Sequence, residues 1–229
     1  MSKDRYISLI ASLPITIDLF KAKLPPLSRL NLEKRLRGLN EEDAKLLQKI
    51  EDLTRWLNQP MEQTDADYVL RAKFHIENIE NEFLTKLVQD RLELRTVMTA
   101  LRKRKRGDPA PLPGEAWGVG RWVDHIRQYW NEPDFRLVNA FPWITKANRL
   151  ISTDDSLGLE RLILNEVWQS LGRAGEEHYF DLESVIIYVM RWDVIARWTS
   201  YNGESAVNRF NELVSTGLGE HMQVFAEHA

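Results

Sequence analysis

The sequence contains no cysteine. This absence excludes disulfide bonds, thiolate nucleophiles and cysteine-ligated zinc sites, and it fits a reducing compartment. Long apolar runs are missing as well. The apolar stretch at residues 6–13 is much shorter than the ~20 residues that a membrane-spanning helix needs, and no cleavage pattern of a signal peptide follows it. We therefore expect a cytoplasmic protein without a transmembrane segment.

The chain has only a small excess of charge of one sign. Its formal net charge is −3, so it has no general attraction to nucleic acid or anionic lipid. The exception is the basic run 102–106, RKRKR, at the end of a predicted helix. Cations at that position favour the helix dipole, and no aromatic residues stand between them to stack on bases. Nucleic-acid binding is therefore a secondary hypothesis.

Catalytic and metal-binding motifs are also absent. The glycines of residues 114–120 lack the Gly-Lys-Ser/Thr ending of a phosphate-binding loop, and the chain has neither a Gly-x-Ser-x-Gly nor a His-Glu-x-x-His segment. One group of potential metal ligands stands at a glycine-marked helix start, where acidic residues ordinarily cap: Glu176, Glu177, His178 and Asp181. We predict a protein that is not an enzyme and that needs no metal or cofactor.

Helix signals fill most of the chain instead. A first helical run begins near Ser28 and stops by Gly38, and Asn40 then caps a helix with an apolar stripe that extends to Leu57. Residues 64–106 contain neither glycine nor proline, and their pattern predicts one continuous amphipathic helix of roughly 65 Å. These last two segments predict a long antiparallel helical hairpin.

Two further signals concern the start and the middle of the chain. Residues 6–13 fit a short strand or the first turns of a buried helix, and we expect the strand. Four glycines and three prolines between Gly107 and Gly120 predict a linker at 108–120. It would separate an N-terminal segment and hairpin in residues 1–107 from a tryptophan-rich helical region in residues 121–229, unless both belong to one continuous domain.

Helix starts in the second half are predicted at Trp117 or Trp122, at Asp154 or Asp155, at Asp181 and at Asn202. No series of alternating strands is present, so the predicted fold class is all-α, a multi-helix assembly with the long hairpin and the possible N-terminal strand.

Tryptophan is abundant, with eight residues, seven of them within 117–198. Trp168 and Trp192 occupy apolar stripes and are predicted to lie in the core. Trp198 stands beside Arg197 and Tyr201 and is the better candidate for an interface.

Three segments carry a resemblance to a known family: 6–14 (YISLIASLP), 90–107 (DRLELRTVMTALRKRKRG) and 180–214 (FDLESVIIYVMRWDVIARWTSYNGESAVNRFNELV). Together they resemble an uncharacterised bacterial family that is encoded beside the subunits of V/A-type rotary ATPases. The middle segment is also similar to a helix of the C subunit of these ATPases. The chain is short for a full C subunit, and the repeated three-part organisation of that subunit is not traceable in it.

The resemblance implies a non-catalytic subunit or an assembly factor of a V/A-type ATP synthase that transports protons or sodium. A C-subunit-like connector would lie between the central stalk and the membrane rotor, peripheral to the inner membrane. By this analogy four arginines would pair with acidic groups of the stalk or of ring loops, and Trp198 would anchor a hydrophobic contact. The arginines are Arg95, Arg102, Arg104 and Arg106. The alternative is a nucleic-acid-binding regulatory protein that uses the basic helix end.

Overall fold

The structure is a computed structural model that describes residues 3–16, 18–55 and 65–200. The described residues contain helices and irregular segments without a β-strand, which confirms the all-α prediction. The helices are α1 (Lys3–Ser12), α2 (Arg29–Leu36), α3 (Glu41–Thr54), α4 (Asp65–Glu77), α5 (Glu82–Lys105), α6 (Val123–Gln128), α7 (Ile144–Ser152), α8 (Ser156–Ala174) and α9 (182–200). Among them, none is long and apolar enough to cross a membrane.

The structure near the N-terminus shows that the predicted strand is wrong. Residues expected to form a strand belong to helix α1. Leu9 and Leu13 are both buried, and they are one helical turn apart, so the apolar residues here follow a helical rather than an alternating spacing. The Tyr6 hydroxyl donates a hydrogen bond to the Asp43 carboxylate in α3, which ties α1 to the rest of the molecule.

The predicted continuous helix over 64–106 is also wrong, because it is broken between α4 and α5. The amide side chain of Asn78 donates to the carbonyl of Phe74 (2.6 Å), and the Asn81 side chain accepts from the backbone N–H of Leu84 (3.0 Å). Asn81 thereby caps the start of α5, as asparagine does at many helix N-termini. From the sequence, either Thr64 or Asp65 could cap this segment; Asp65 is the first residue of α4, and Thr64 lies outside the described residues.

Helix α5 is the central element of the fold. It has 24 residues, a length of about 36 Å. Helices α3, α4, α6 and α7 all contact it. The contact between α3 and α5 is the counterpart of the predicted hairpin pairing. Eleven of the α5 residues are buried, so the helix runs through the hydrophobic core rather than along its surface.

Residues 108–120 form an irregular segment that packs directly on α5. The Thr96 hydroxyl donates to the carbonyl of Val119 (2.9 Å) and accepts from the N–H of the same residue (2.8 Å). Gly118 and Gly120 lie so close to α5 that an added Cβ would stand 2.5 Å and 2.3 Å from side-chain carbons of Thr96 and Glu93. Residues 108–120 thus lie against the central helix, while their role as a linker and the division into two domains stay predictions.

The other predicted helix starts within the described residues are confirmed, three of them by a capping side chain. Side chains accept a hydrogen bond from a first-turn backbone N–H at the starts of α2, α3 and α8, where the caps are Ser28, Asn40 and Asp155. Helix α6 begins directly after Trp122, and α9 follows Asp181. The predicted helix from Asn202 lies outside the described residues.

Buried tryptophans connect the helices of the second half to the common core. Trp168 and Trp192 are buried, as predicted. The Trp192 indole N–H donates to the Leu27 carbonyl (2.9 Å), so the polar edge of this ring is satisfied inside the protein. This bond attaches α9 to the segment that precedes α2.

Candidate functional site

A cleft of about 480 Å³ lies beside α5. Its walls come from four elements: the end of α3, one face of α5, the first turns of α8, and the last turns of α9. The volume is in the range of pockets that hold small ligands. We call it the arginine cleft, after its charged lining residues: Arg55, Arg91, Arg95, Arg102, Arg197 and Glu160.

Helix α5 supplies three of these arginines. Arg91, Arg95 and Arg102 recur at intervals of four and seven residues, which places them along one side of the helix. Leu94 and Met98 line the cleft from the same helix and are buried. The α5 wall therefore combines an apolar surface with a row of cations.

The opposite wall contains one carboxylate. Among the described residues that line the cleft, Glu160 is the only acid, and its side chain is 14% exposed. Its Oε1 accepts a hydrogen bond from Arg197 Nε at 2.7 Å. This ion pair joins α8 to α9 beside the cleft, and the charge of Glu160 also acts to raise the pKa of Arg91 and of Arg102 on α5.

At the α3 end, Arg55 belongs to a network of buried charges. Its guanidinium lies 3.1 Å from the Glu51 carboxylate and 3.3 Å from the Asp193 carboxylate. Arg29 donates to both oxygens of the same carboxylate, from Nη1 to Oε1 at 2.7 Å and from Nη2 to Oε2 at 3.1 Å. Burial raises the pKa of Asp193 to about 6, although the charge of Arg55 opposes this shift.

Burial affects the pKa of two arginines on this face of α5. Burial lowers the pKa of Arg91 to about 10, and the charge of Arg95 adds to the shift. Partial burial also lowers the pKa of Arg102, although the charge of Glu160 opposes this shift and that of Arg95 adds to it. Arg95 itself lies over the ring of Tyr68, with 3.8 Å from Cζ to the ring centroid. Positive charge is thus concentrated along this face of α5.

Two of the predicted partner-binding arginines, Arg95 and Arg102, therefore lie in one cleft. Arg104 does not join them. Its guanidinium donates to the backbone carbonyls of Glu132 and Pro133 and to the side chain of Asn148, and it stacks on Phe135. These contacts fix the segment between α6 and α7 to the end of α5. In this structure Arg104 is occupied in holding the fold together.

Arg106 lies outside the cleft, at the C-terminal end of α5. Its side chain is 60% exposed and pairs with Asp108 at 2.7 Å. The neighbouring Lys105 pairs with Asp154. Several charges of the basic run thus have partners within the chain.

Trp198, the predicted hydrophobic anchor, is not on the surface. It is only 6% exposed and packs edge-on against Phe20, with 5.1 Å between the ring centroids. The guanidinium of Arg161 lies 5.6 Å from its ring. The ring is therefore part of the core, and a surface contact through it is not available in this arrangement.

The predicted group of potential metal ligands is only partly assembled. His178, Asp181 and Glu183 have ligand atoms within 4.8 Å of one another, whereas Glu176 and Glu177 point outward from a 3₁₀ turn. His178 is hydrogen-bonded to Asp181 (2.7 Å), Asp181 caps α9 by accepting from the Ser184 N–H, and Glu183 accepts from Asn81. Each member already has a structural hydrogen bond, so capping accounts for the group.

Sequence reasoning missed Arg55, Arg91 and Arg197 as members of the cleft. Arg55 and Arg197 come from elements that are far apart in the chain, and only packing brings them together. Arg91 could have been found, because its spacing from Arg95 is that of neighbours on one helical face.

A comparison with known protein families identifies the family of this chain. The model of one family, described as "Protein of unknown function (DUF2764)", matches residues 16–218. The chain belongs to the DUF2764 family. No curated protein and no solved structure matches it. The matched region contains every element of the arginine cleft in this DUF2764 member. The family description names no activity, so a function must be argued from the residues.

Proposed function

We propose that the chain is a non-catalytic subunit or assembly factor of a bacterial V/A-type rotary ATPase, with a C-subunit-like place between central stalk and membrane rotor. The observation that carries the proposal is the position of α5. The segment that resembles the C-subunit helix forms the C-terminal two thirds of this central helix, with one face in the core and cations on another. Binding through such a surface needs no turnover chemistry.

The other two resembling segments support the same proposal. The first forms most of α1, and the described part of the third forms α9. Residues of α1, α5 and α9 belong to one hydrophobic core, which extends from Leu9 to Trp198. Segments that are far apart in the sequence thus build one packed helical body. A closely packed body of this kind suits a connector, because a protein interior resists compression and transmits strain.

The proposed contact is the cationic end of α5. Arg102 and Arg106 are both exposed there. Arginine pairs with carboxylates through two parallel hydrogen bonds, so acidic groups of a stalk subunit or of rotor loops are the chemistry that this end would bind. A surface of this type gives specificity and fast association, and its binding weakens as salt rises.

Binding to the purified motor tests this proposal. ATPase isolated from cells that lack the gene would be mixed with purified wild-type chain and separated from free protein by size. We expect co-elution of the wild type and at least tenfold weaker binding of the Arg102→Glu/Arg106→Glu variant. Lys34→Glu is the matched control, because Lys34 is exposed on α2 and does not line the cleft. Equal binding of all three proteins would refute this contact surface, and no binding of the wild type would refute the association.

A further inference from the structure

We propose that the solvent face of helix α2, together with the exposed loop that precedes it, binds the surface of a lipid bilayer with anionic headgroups. We call this region the basic face, and it consists of Lys23, Leu24, Leu30, Lys34 and Arg37. The proposal concerns lipid alone, so it does not depend on the association with an ATPase.

The first argument is the uneven distribution of charge along the chain. The net charge is −3, yet residues 18–37 contain six lysines or arginines and only two acidic residues. Both acids are already paired, Asp18 with Lys21 at 3.1 Å and Glu33 with Arg29 at 2.7 Å. A local surface can therefore attract anions although the chain as a whole does not.

Helix α2 presents two cations and a leucine on one side. Leu30, Lys34 and Arg37 are separated by four and three residues, the spacing of neighbours on one helical face. All three are exposed, whereas Leu32 and Leu36 of the same helix are buried in the core. The side of α2 that carries the cations is thus the side that faces solvent.

The cations of the basic face have no acidic partner in the part of the chain that the structure describes. No ion pair there involves Lys23, Lys34 or Arg37. Their charges are therefore available to a partner outside the protein. Each lysine or arginine close to an anionic bilayer adds to the attraction, which extends over about one Debye length.

A second exposed leucine precedes α2. Leu24 is 78% exposed and Leu30 is 59% exposed. Two prolines follow Leu24 and restrict its backbone to extended conformations, and the Trp192 indole N–H holds the Leu27 carbonyl in place. Six residues of chain span at most about 21 Å, so Leu24 and its neighbour Lys23 lie within that distance of Leu30. One bilayer surface is wide enough to contact both leucines.

The residue types favour a bilayer over a protein partner. Binding sites between proteins are enriched in tryptophan, tyrosine and arginine, whereas lysine and leucine are under-represented there. One exposed leucine on a protein surface is ordinary. Leucines flanked by cations are typical of surfaces that enter the headgroup region, where the apolar side chains leave water and the cations meet anionic lipid.

The test is co-sedimentation of the purified full-length chain with lipid vesicles. One set contains phosphatidylglycerol and phosphatidylcholine in equal amounts, and the other contains phosphatidylcholine alone. We expect binding to the mixed vesicles that weakens as salt rises, and no binding to phosphatidylcholine. Lys34→Glu/Arg37→Glu should weaken binding to the mixed vesicles at least about tenfold, because two attractive charges become repulsive. Leu24→Ser/Leu30→Ser should weaken it about tenfold, because less apolar surface leaves water.

Arg102→Glu/Arg106→Glu is the matched control, because it makes the same change of charge at the end of α5. It should bind the mixed vesicles as the wild type does. Circular dichroism would show that each variant is folded. Lys34→Glu alone should keep its binding to the purified ATPase, so the lipid proposal and the ATPase proposal fail separately.

Several results would overturn the lipid proposal. They are absence of binding to the mixed vesicles, equal binding to both kinds of vesicle, and binding to a glutamate-rich peptide but not to vesicles, which would indicate a protein partner. An equal or greater loss in Arg102→Glu/Arg106→Glu than in Lys34→Glu/Arg37→Glu would overturn the assignment to the basic face. Unchanged binding of Leu24→Ser/Leu30→Ser would overturn the entry of the leucines into the headgroup region.

Discussion

The hydroxyl of Thr96 forms two hydrogen bonds with the backbone of one residue, Val119. It donates to the carbonyl and accepts from the N–H, and all the groups involved are buried. One side chain of the central helix thus satisfies both polar groups of a residue in the irregular segment 108–120. The contact fixes the position at which this segment crosses α5.

Replacing Thr96 tests the importance of this contact. Thr96→Val keeps the shape but leaves the N–H and the carbonyl of Val119 buried without a partner. We expect a loss of about 2–4 kcal/mol in the free energy of unfolding, measured by denaturant titration. Thr96→Ser keeps the hydroxyl and should lose only about 1 kcal/mol. Similar losses in the two variants would contradict this role of the hydroxyl.

Gly120 is expected to be the least replaceable glycine of the segment. It has a φ of +104°, and an added Cβ would stand 2.3 Å from Glu93 Cγ. Glu93 cannot easily move, because its carboxylate accepts from the backbone N–H of Arg121. Gly114 also has a positive φ but has open space around it. Gly114→Ala should cost about 1–2 kcal/mol from backbone strain alone, and Gly120→Ala clearly more. Equal unfolding midpoints would show that the close approach is unimportant.

The burial of Asp193 leads us to expect that part of the protein's stability is lost as pH rises. Its pKa is raised by burial from 3.8 to about 6 in the folded protein. The folded state therefore binds the proton more tightly than the unfolded state does. This contribution to stability is fully present below the unfolded pKa and is lost as pH rises from about 4 to about 6, by at most about 3 kcal/mol.

Asp193→Asn should remove this part of the pH dependence. The difference in unfolding free energy between wild type and variant would be measured from pH 4 to pH 7, with Asp124→Asn as control because the Asp124 side chain is 84% exposed. The wild type should lose stability relative to Asp193→Asn as pH rises. Parallel curves for the two proteins would contradict the raised pKa.

We predict that Trp198 stabilises the folded protein through the packing of its ring rather than through its indole N–H. The N–H is buried and has no hydrogen-bond partner among the described residues. Trp198→Ala removes the contact with Phe20 and should cost about 3–5 kcal/mol, whereas Trp198→Phe keeps an aromatic ring and should cost much less. The comparison is made by thermal and denaturant unfolding. If both variants were equally destabilised, the indole N–H would have an importance that this packing does not provide.

Local signals in the sequence were sufficient for much of the fold. Ser28, Asn40 and Asp155 are helix caps because a short polar side chain there can accept from the first turn. Helix starts were predicted near Ser28, at Asn40, and at Asp154 or Asp155. The break before α5 was missed for a related reason. Asn78 and Asn81 fit a helical pattern as exposed residues, and only the tertiary structure shows that Asn81 is a cap. Absence of glycine and proline does not guarantee a continuous helix.

The site was less predictable than the helices. Arg95 and Arg102 were selected for their charge, and they do lie together, but Arg104 has the same charge and is bound to backbone carbonyls. The sequence does not show which arginine lines the cleft and which binds backbone carbonyls, because that depends on which element packs beside each turn of α5. Trp198 was selected for its neighbours in the chain, and its burial against Phe20 likewise depends on packing.

The central claim is that the chain is a component or assembly factor of a V/A-type ATPase. The most direct measurement is affinity purification of a tagged copy from gently solubilised cells, followed by quantitative mass spectrometry. We expect recovery of the ATPase subunits, at near-equal abundance if the chain is a stoichiometric subunit and at lower abundance if it acts in assembly. Their absence, under conditions in which the ATPase itself remains intact, would contradict the claim.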